Sequence, residues 1–239
     1  MRGLKKAIVF GALAAALGMS GGAMGAESLK PKMKAPKLKP LSDEKFAELR
    51  GQLGQCIVAR NDAMTKKYLA NSDSLTVDYD GMGVDPKFAM FMFRMDACAK
   101  YNVPQMAQPV FMTPGALRNL LLEATYLEQV KSTPPVALDE NGQPAPVPAR
   151  NFASKDDNLA PAAAFAAIAD CAVSKDAGLA DAVLRTGAGL PEERDAAVAL
   201  APVIGECVPA GQDLKLTLAS IRALAAEGLW QRYIVASAK

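Results

Sequence analysis

The chain of 239 residues contains no histidine. That absence excludes triads with a histidine base, zinc sites built on two histidines and histidine-ligated haem. Aromatic residues are scarce, at 6% of the chain with a single tryptophan. A glycine-rich nucleotide fingerprint is missing: the glycines around Gly187 and Gly189 lack the spacing and the lysine of a phosphate loop. None of the four cysteines stands in a CxxC pair, the usual spacing of a redox-active dithiol. No apolar run reaches the roughly 20 residues needed to span a bilayer. Carboxylates, methionines and basic side chains are what remains for chemistry, and no cofactor is implied.

What is present begins with an export signal. Arg2, Lys5 and Lys6 precede an uncharged apolar stretch at residues 7–19 (AIVFGALAAALGM), and small residues follow at 20–26 (SGGAMGA). This order predicts a cleavable signal peptide over residues 1–26 and a periplasmic or secreted location. The cleavage region holds no cysteine, so a lipid-modified N-terminus is not indicated, and no transmembrane anchor is expected in the mature chain. Cleavage removes three basic residues and no acidic one, taking the net charge from +2 to −1. Residues 27–42 read as a basic Pro/Lys-rich arm, in which Lys30, Lys32, Lys34, Lys37 and Lys39 alternate with prolines. Such a segment forms neither helix nor core, and an extended spacer is expected. The body beyond it is mildly acidic, which argues against a nucleic-acid partner and leaves an envelope protein or polymer.

Two segments on either side of a Pro-rich stretch resemble one another. Cys56 opens CIVARNDA and Cys171 opens CAVSKDA, and Leu69 and Leu184 stand at equal distances from these cysteines. Cys98 and Cys207 follow in the same order. After them Thr113 leads into TPGALRNLLLEATY and Thr217 into TLASIRALAAEGLW, matching Arg118 with Arg222, Glu123 with Glu227 and Tyr126 with Trp230. A repeat of about 80 residues is the reading, with helical unit 1 at 43–131, a linker at 132–160 and helical unit 2 at 161–239.

Spacing and caps make each unit helical. Ser42 caps a helix with Phe46, Leu49, Leu53, Cys56 and Ile57 at 3–4 residue intervals. Asp85–Pro86 starts a second with Phe88, Phe91, Met92, Met95 and Cys98, and Thr113–Pro114 a third with Leu117, Leu120, Leu121 and Leu127. Unit 2 repeats this with smaller residues: Phe165, Ile168 and Ala172, then Ala197, Leu200 and Ile204, then Ile221, Leu224 and Leu229. Pro202 is expected to kink its helix. Period-two alternation is scarce. The fold class is therefore all-α: two tandem, related three-helix units joined by a Pro-rich linker. Four cysteines in an exported chain favour disulfides, and three pairings exist. The repeat selects Cys56–Cys98 and Cys171–Cys207, one disulfide per unit.

On Cys56, Cys98, Cys171, Cys207 and the helices bearing Arg118 and Arg222, the chain resembles uncharacterised exported bacterial proteins with a repeated two-cysteine, alanine-rich helical unit. The resemblance covers most of residues 46–130 and 161–235. It implies the architecture and no activity.

Candidate sites are few. Asp78, Asp80 and Asp85, with Gly81 and Gly83, offer clustered oxygens for a hard cation such as calcium, although the spacing departs from the helix-loop-helix calcium pattern and aspartate and glycine also simply make turns. Met90, Met92 and Met95 raise the question of a soft metal, against which stands their use as core filler. FAMFMFRM is apolar nearly all round, so that helix is either central to its unit or presents Met90 and Phe93 as a contact surface. Arg118 and Arg222 are candidate binding residues. Each lies five residues before its glutamate, about 140° round a helix, so the charges reach different neighbours. The missing catalytic constellations favour a non-catalytic interaction or structural module of the envelope. The alternative is a carboxylate-dependent hydrolase of envelope glycans, whose mark is two carboxyls roughly 5 to 10 Å apart in a cleft, one with a raised pKa. The apolar cover of the 86–98 helix favours packed units, with any ligand or partner along their shared groove.

Overall fold

The computed structural model describes residues 41–88, 93, 95, 97, 98, 112–133 and 135–236. Among them regular structure is helical, and strand pairing is limited to the isolated bridges Ser72–Val77 and Leu138–Pro144. The signal segment, the arm up to residue 40, and Met90, Phe91 and Met92 lie outside the described residues.

Local chemistry sets the helix starts. Helix α1 (Asp43–Arg60) begins where Ser42 accepts from the Lys45 amide. One non-helical residue, Asn61 (φ −135°, ψ 41°), separates it from α2 (Asp62–Ala70). Thr113 caps α3 (Pro114–Gln129) by accepting from the Ala116 amide, with Pro114 needing no donor at its first position. In the second half, α4 (Leu159–Lys175) is parted from α5 (Ala177–Arg185) by Asp176 (φ −151°, ψ 87°), which accepts from the Leu179 amide. Helix α6 (Pro191–Gly205) opens on a proline, and α7 (Leu218–Trp230) on a Thr217–Ser220 capping box.

Helices α2 and α5 depart from the three-helix reading of each unit. Each follows a single non-helical residue, five positions after Cys56 or Cys171, and a one-residue break shifts the helical phase without leaving a turn signature. Pro202 lies inside α6 without breaking it, and the helix ends three residues later at Gly205.

Helix α7 is the hub, packing on α3, α4, α5 and α6, and every residue from Ile221 to Leu229 is buried. Helix α3 is its counterpart, with Leu117 to Tyr126 buried apart from Asn119. One continuous apolar cluster draws on all seven helices, and the described residues belong to a single compact unit. Two disulfides tie the outer elements, Cys56–Cys98 and Cys171–Cys207, at sequence separations of 42 and 36. Loops of that size contribute about 4 kcal/mol each in the chain-entropy model.

Close helix crossings need small residues. A Cβ on Gly228 of α7 would stand 2.4 Å from the Ala169 carbonyl oxygen of α4, so the backbones touch there. Helices α1 and α3 cross at Gly54, where a Cβ would lie 3.1 Å from that of Ala124 and 2.9 Å from Leu120 Cδ1.

The Pro-rich stretch is fastened down rather than looped free. Gln231 Nε2 donates to the Pro148 carbonyl and Arg232 Nη1 to that of Ala145, both at 3.1 Å. At its other end the Ser154 amide and hydroxyl both donate to the buried Asp73 carboxylate, at 2.6 and 2.9 Å. Residues 145–154 thus form a strap joining the 72–76 loop to the end of α7.

Candidate functional site

Helices α3 and α7 run antiparallel and exchange their charges. Arg118 of α3 pairs with Glu227 of α7, while Arg222 of α7 pairs with Glu123 of α3. All four are buried. The five-residue spacing that forbids a local pair makes each arginine reach the opposite helix, and the antiparallel arrangement makes the two contacts reciprocal.

One of these pairs is sealed. Glu227 also takes Arg150 from the strap, and Arg118 Nε donates to the Ser72 hydroxyl at 3.1 Å. Arg150 reaches the Ser72 carbonyl at 3.2 Å and lies over the Phe152 ring, 4.9 Å from its centre. Burial alone would raise the Glu227 pKa, but the charges and hydrogen bonds of Arg118 and Arg150 outweigh it and hold the carboxyl below the usual range.

The other pair stands at the floor of an open cleft. Arg222 clamps Glu123 through Nε at 3.0 Å and Nη2 at 2.6 Å, and Nη1 reaches Glu193 at 3.0 Å. Its remaining hydrogens go to the carbonyls of Val183, Leu184 and Thr186, so every donor is engaged. Arg50 of α1 adds a bond from Nη1 to Glu123 at 2.8 Å. Glu193 is fixed in turn by the Gly189 amide at 2.6 Å, in a turn where Gly189 has φ 88°, a conformation that favours glycine. Burial would raise Glu123, yet the hydrogen bonds from Arg222 and the charge of Arg50 bring it below its ordinary value. The four groups balance to zero charge.

Above them lies a cavity of about 760 Å³ between α1, α3 and α7. Phe46, Leu49, Leu53, Leu120, Leu218 and Ala223 form much of its apolar wall. A concave, mostly apolar space with a few fixed polar groups has the character of a small-ligand site.

The residues singled out in sequence fare unequally. Arg222 lines this cleft; Arg118 belongs to the sealed pair and offers nothing to a ligand. Of the two readings of Phe93, a contact surface or a place central to its unit, the first is corrected and the second holds: it is buried edge-on against Tyr68 at 5.2 Å, and its carbonyl accepts from Asn61 Nδ2. Tyr68 and Asn61 supply the partners that a period count cannot reveal. Met90 lies outside the described residues. Asp78 accepts from the Gly81 amide and Asp85 from that of Lys87, both at 2.8 Å, so each serves its own turn. No group of three or more acidic or cysteine side chains among the described residues is placed to hold a metal ion, Asp80 included. The cysteines form the two disulfides. Arg50, Asn119, Arg150 and Glu193 were not singled out; only the position of Arg50 within the α1 pattern carries a signal, one turn before Leu53. Comparison of the chain with protein-family models, curated proteins and solved structures finds no match.

Proposed function

We propose that the chain is an exported, non-catalytic binding module of the cell envelope, built from two related helical units, with its ligand held in the cleft between α1, α3 and α7. The two disulfides support an oxidising compartment. No helix among the described residues is long and apolar enough to cross a membrane. The reciprocal Arg–Glu contacts and the matching positions of the disulfides support duplication.

One observation carries the choice of binding over catalysis: Glu123 and Glu193, the carboxylates at the cleft floor, are both locked onto Arg222. A glycosidase needs a carboxyl kept protonated near neutrality, and Glu123 is displaced in the opposite direction. The test is a thermal-shift screen of defined envelope components on the native chain beside Ala219→Trp, which fills the cleft from an exposed position in the first turn of α7. A component that stabilises the native chain and leaves the filled variant unmoved supports the reading. Glycan hydrolysis that disappears in Glu193→Gln would overturn it.

A further inference from the structure

Among the described residues, the Asp43 carboxylate and the Asn119 amide, both lining the cleft, have no hydrogen-bond partner, and Arg50 is engaged through Nη1 alone, which leaves its Nε and Nη2 donors. Asp43 and Arg50 are seven residues apart on α1, two turns and about 10.5 Å along one face. Phe46 and Leu49 stand between them and also line the space. A negative group and a positive group therefore bracket an apolar wall. Asn119, on the facing helix, presents both a donor and an acceptor, the complement of a peptide group.

We infer that the cleft takes a short apolar peptide lying along α1, with its carboxylate on Arg50, its terminal ammonium at Asp43, and an internal amide at Asn119. At 3.3 to 3.6 Å per extended residue the bracket spans about three residues. Arg50 both completes the neutral cluster and keeps two donors for a carboxylate, and with Asp43 the lining carries one net negative charge, which selects against a strongly anionic ligand. The strap supplies a precedent for backbone recognition, where Gln231 and Arg232 donate to the carbonyls of Pro148 and Ala145. The inference rests on the binding-module reading, and names its ligand class.

The experiment is calorimetric titration of the purified full chain, disulfides intact, with trileucine, its N-acetyl and C-terminal amide forms, triglycine, and dodecanoate. Trileucine is expected to bind with a Kd below about 1 mM, and amidation to weaken it about tenfold. Arg50→Gln weakens free trileucine to the same degree and removes the effect of amidation; Asp43→Asn does likewise for N-acetylation. The modified peptides probe both ends without touching the protein, so the inference stays exposed even where a variant is destabilised. Triglycine binding as well as trileucine, or binding unaffected by Ala219→Trp, overturns the inference. Dodecanoate binding in place of trileucine overturns the peptide class and leaves the binding module standing. If no probe binds and no envelope component shifts the melting temperature, both fall.

Discussion

The two ends of the α3/α7 pair carry the same reciprocal contact and end differently. At Arg118–Glu227 the third partner is Arg150, delivered by a strap that closes the site; at Arg222–Glu123 it is Arg50, delivered by α1, and the space above stays open. The position of α4 that corresponds to Arg50 by distance from the cysteine is Phe165, so α4 brings no cation and the strap supplies one. A shared scaffold is thus completed by unlike segments. The strap covers one pair, and room for a ligand lies over the other.

The helix crossings show the same exchange. Gly54 faces Ala124 where α1 meets α3, and Ala169 faces Gly228 where α4 meets α7, with the glycine on opposite members of the pair. Each crossing keeps one glycine and one alanine, and the tighter one has the glycine on the hub helix.

The largest effect is expected from breaking the sealed pair. Glu227→Gln strands Arg118, which is 1% exposed, and is expected to lower unfolding free energy by about 3 to 5 kcal/mol. Glu123→Gln leaves Arg222 with Glu193 and lets Arg50, whose side chain is 21% exposed, turn to water, for about 2 kcal/mol. Denaturant unfolding of both variants checks the order, and equal losses would erase the distinction between the ends.

Acid acts on both carboxylates together. Each has a folded pKa below the ordinary 4.5, so their stabilisation is complete above that pH. As pH falls below about 4.5 the unfolded chain takes up protons first, and the stabilisation is lost progressively until the folded carboxyls protonate. Melting temperature followed from pH 7 to 3 should fall below that point, and Glu227→Gln and Glu123→Gln should each flatten the fall.

The crossings come next. Gly228→Ala drives a methyl into a carbonyl oxygen and is expected to cost about 2 to 3 kcal/mol, whereas Gly54→Ala meets the movable end of Leu120 beside Ala124 and should cost about 1 kcal/mol. Thermal melts of the two variants decide it.

What could be read from the sequence follows from how local each signal is. Ser42, Thr113 and Thr217 mark helix starts through residues within one turn of themselves, and the structure places caps at all three. The disulfide pairing suggested by the repeat is the pairing the structure contains. Helices α2 and α5 were hidden because their separation from α1 and α4 is one residue of backbone, at Asn61 and Asp176, neither a proline nor a glycine. The strap was invisible for another reason: it is held largely by carbonyls, which every residue carries, so proline content read only as an absence of regular structure. The cleft arises partly from alanines at 116, 219, 223 and 226, and small residues along a helix read equally well as close packing. Only the three-dimensional crossing of α1 decides that they leave a space.

The comparison that separates the two ends most directly, and that includes the smallest effect, concerns the third arginines. Arg150 bonds Glu227 and the Ser72 carbonyl while covering Phe152, and its side chain is 13% exposed. Replacing it by glutamine removes charge from a closed site and loosens the middle of the strap, for about 1 to 2 kcal/mol. Its partners at residues 145, 148 and 154 remain, so the global fold persists and local opening should appear as faster amide exchange or proteolysis across residues 145–154. Arg50→Gln removes one bond at the cleft rim, from a more exposed side chain, and is expected to cost about 1 kcal/mol or less. No change in strap exchange is expected, because α1 holds Arg50 independently of residues 145–154. A strap that loosens equally in both variants would mean that the two ends communicate through α3 and α7, and the open cleft would then sense its own occupancy at the sealed end. Amide exchange on the two single variants and the double variant, compared residue by residue over the strap, separates these outcomes.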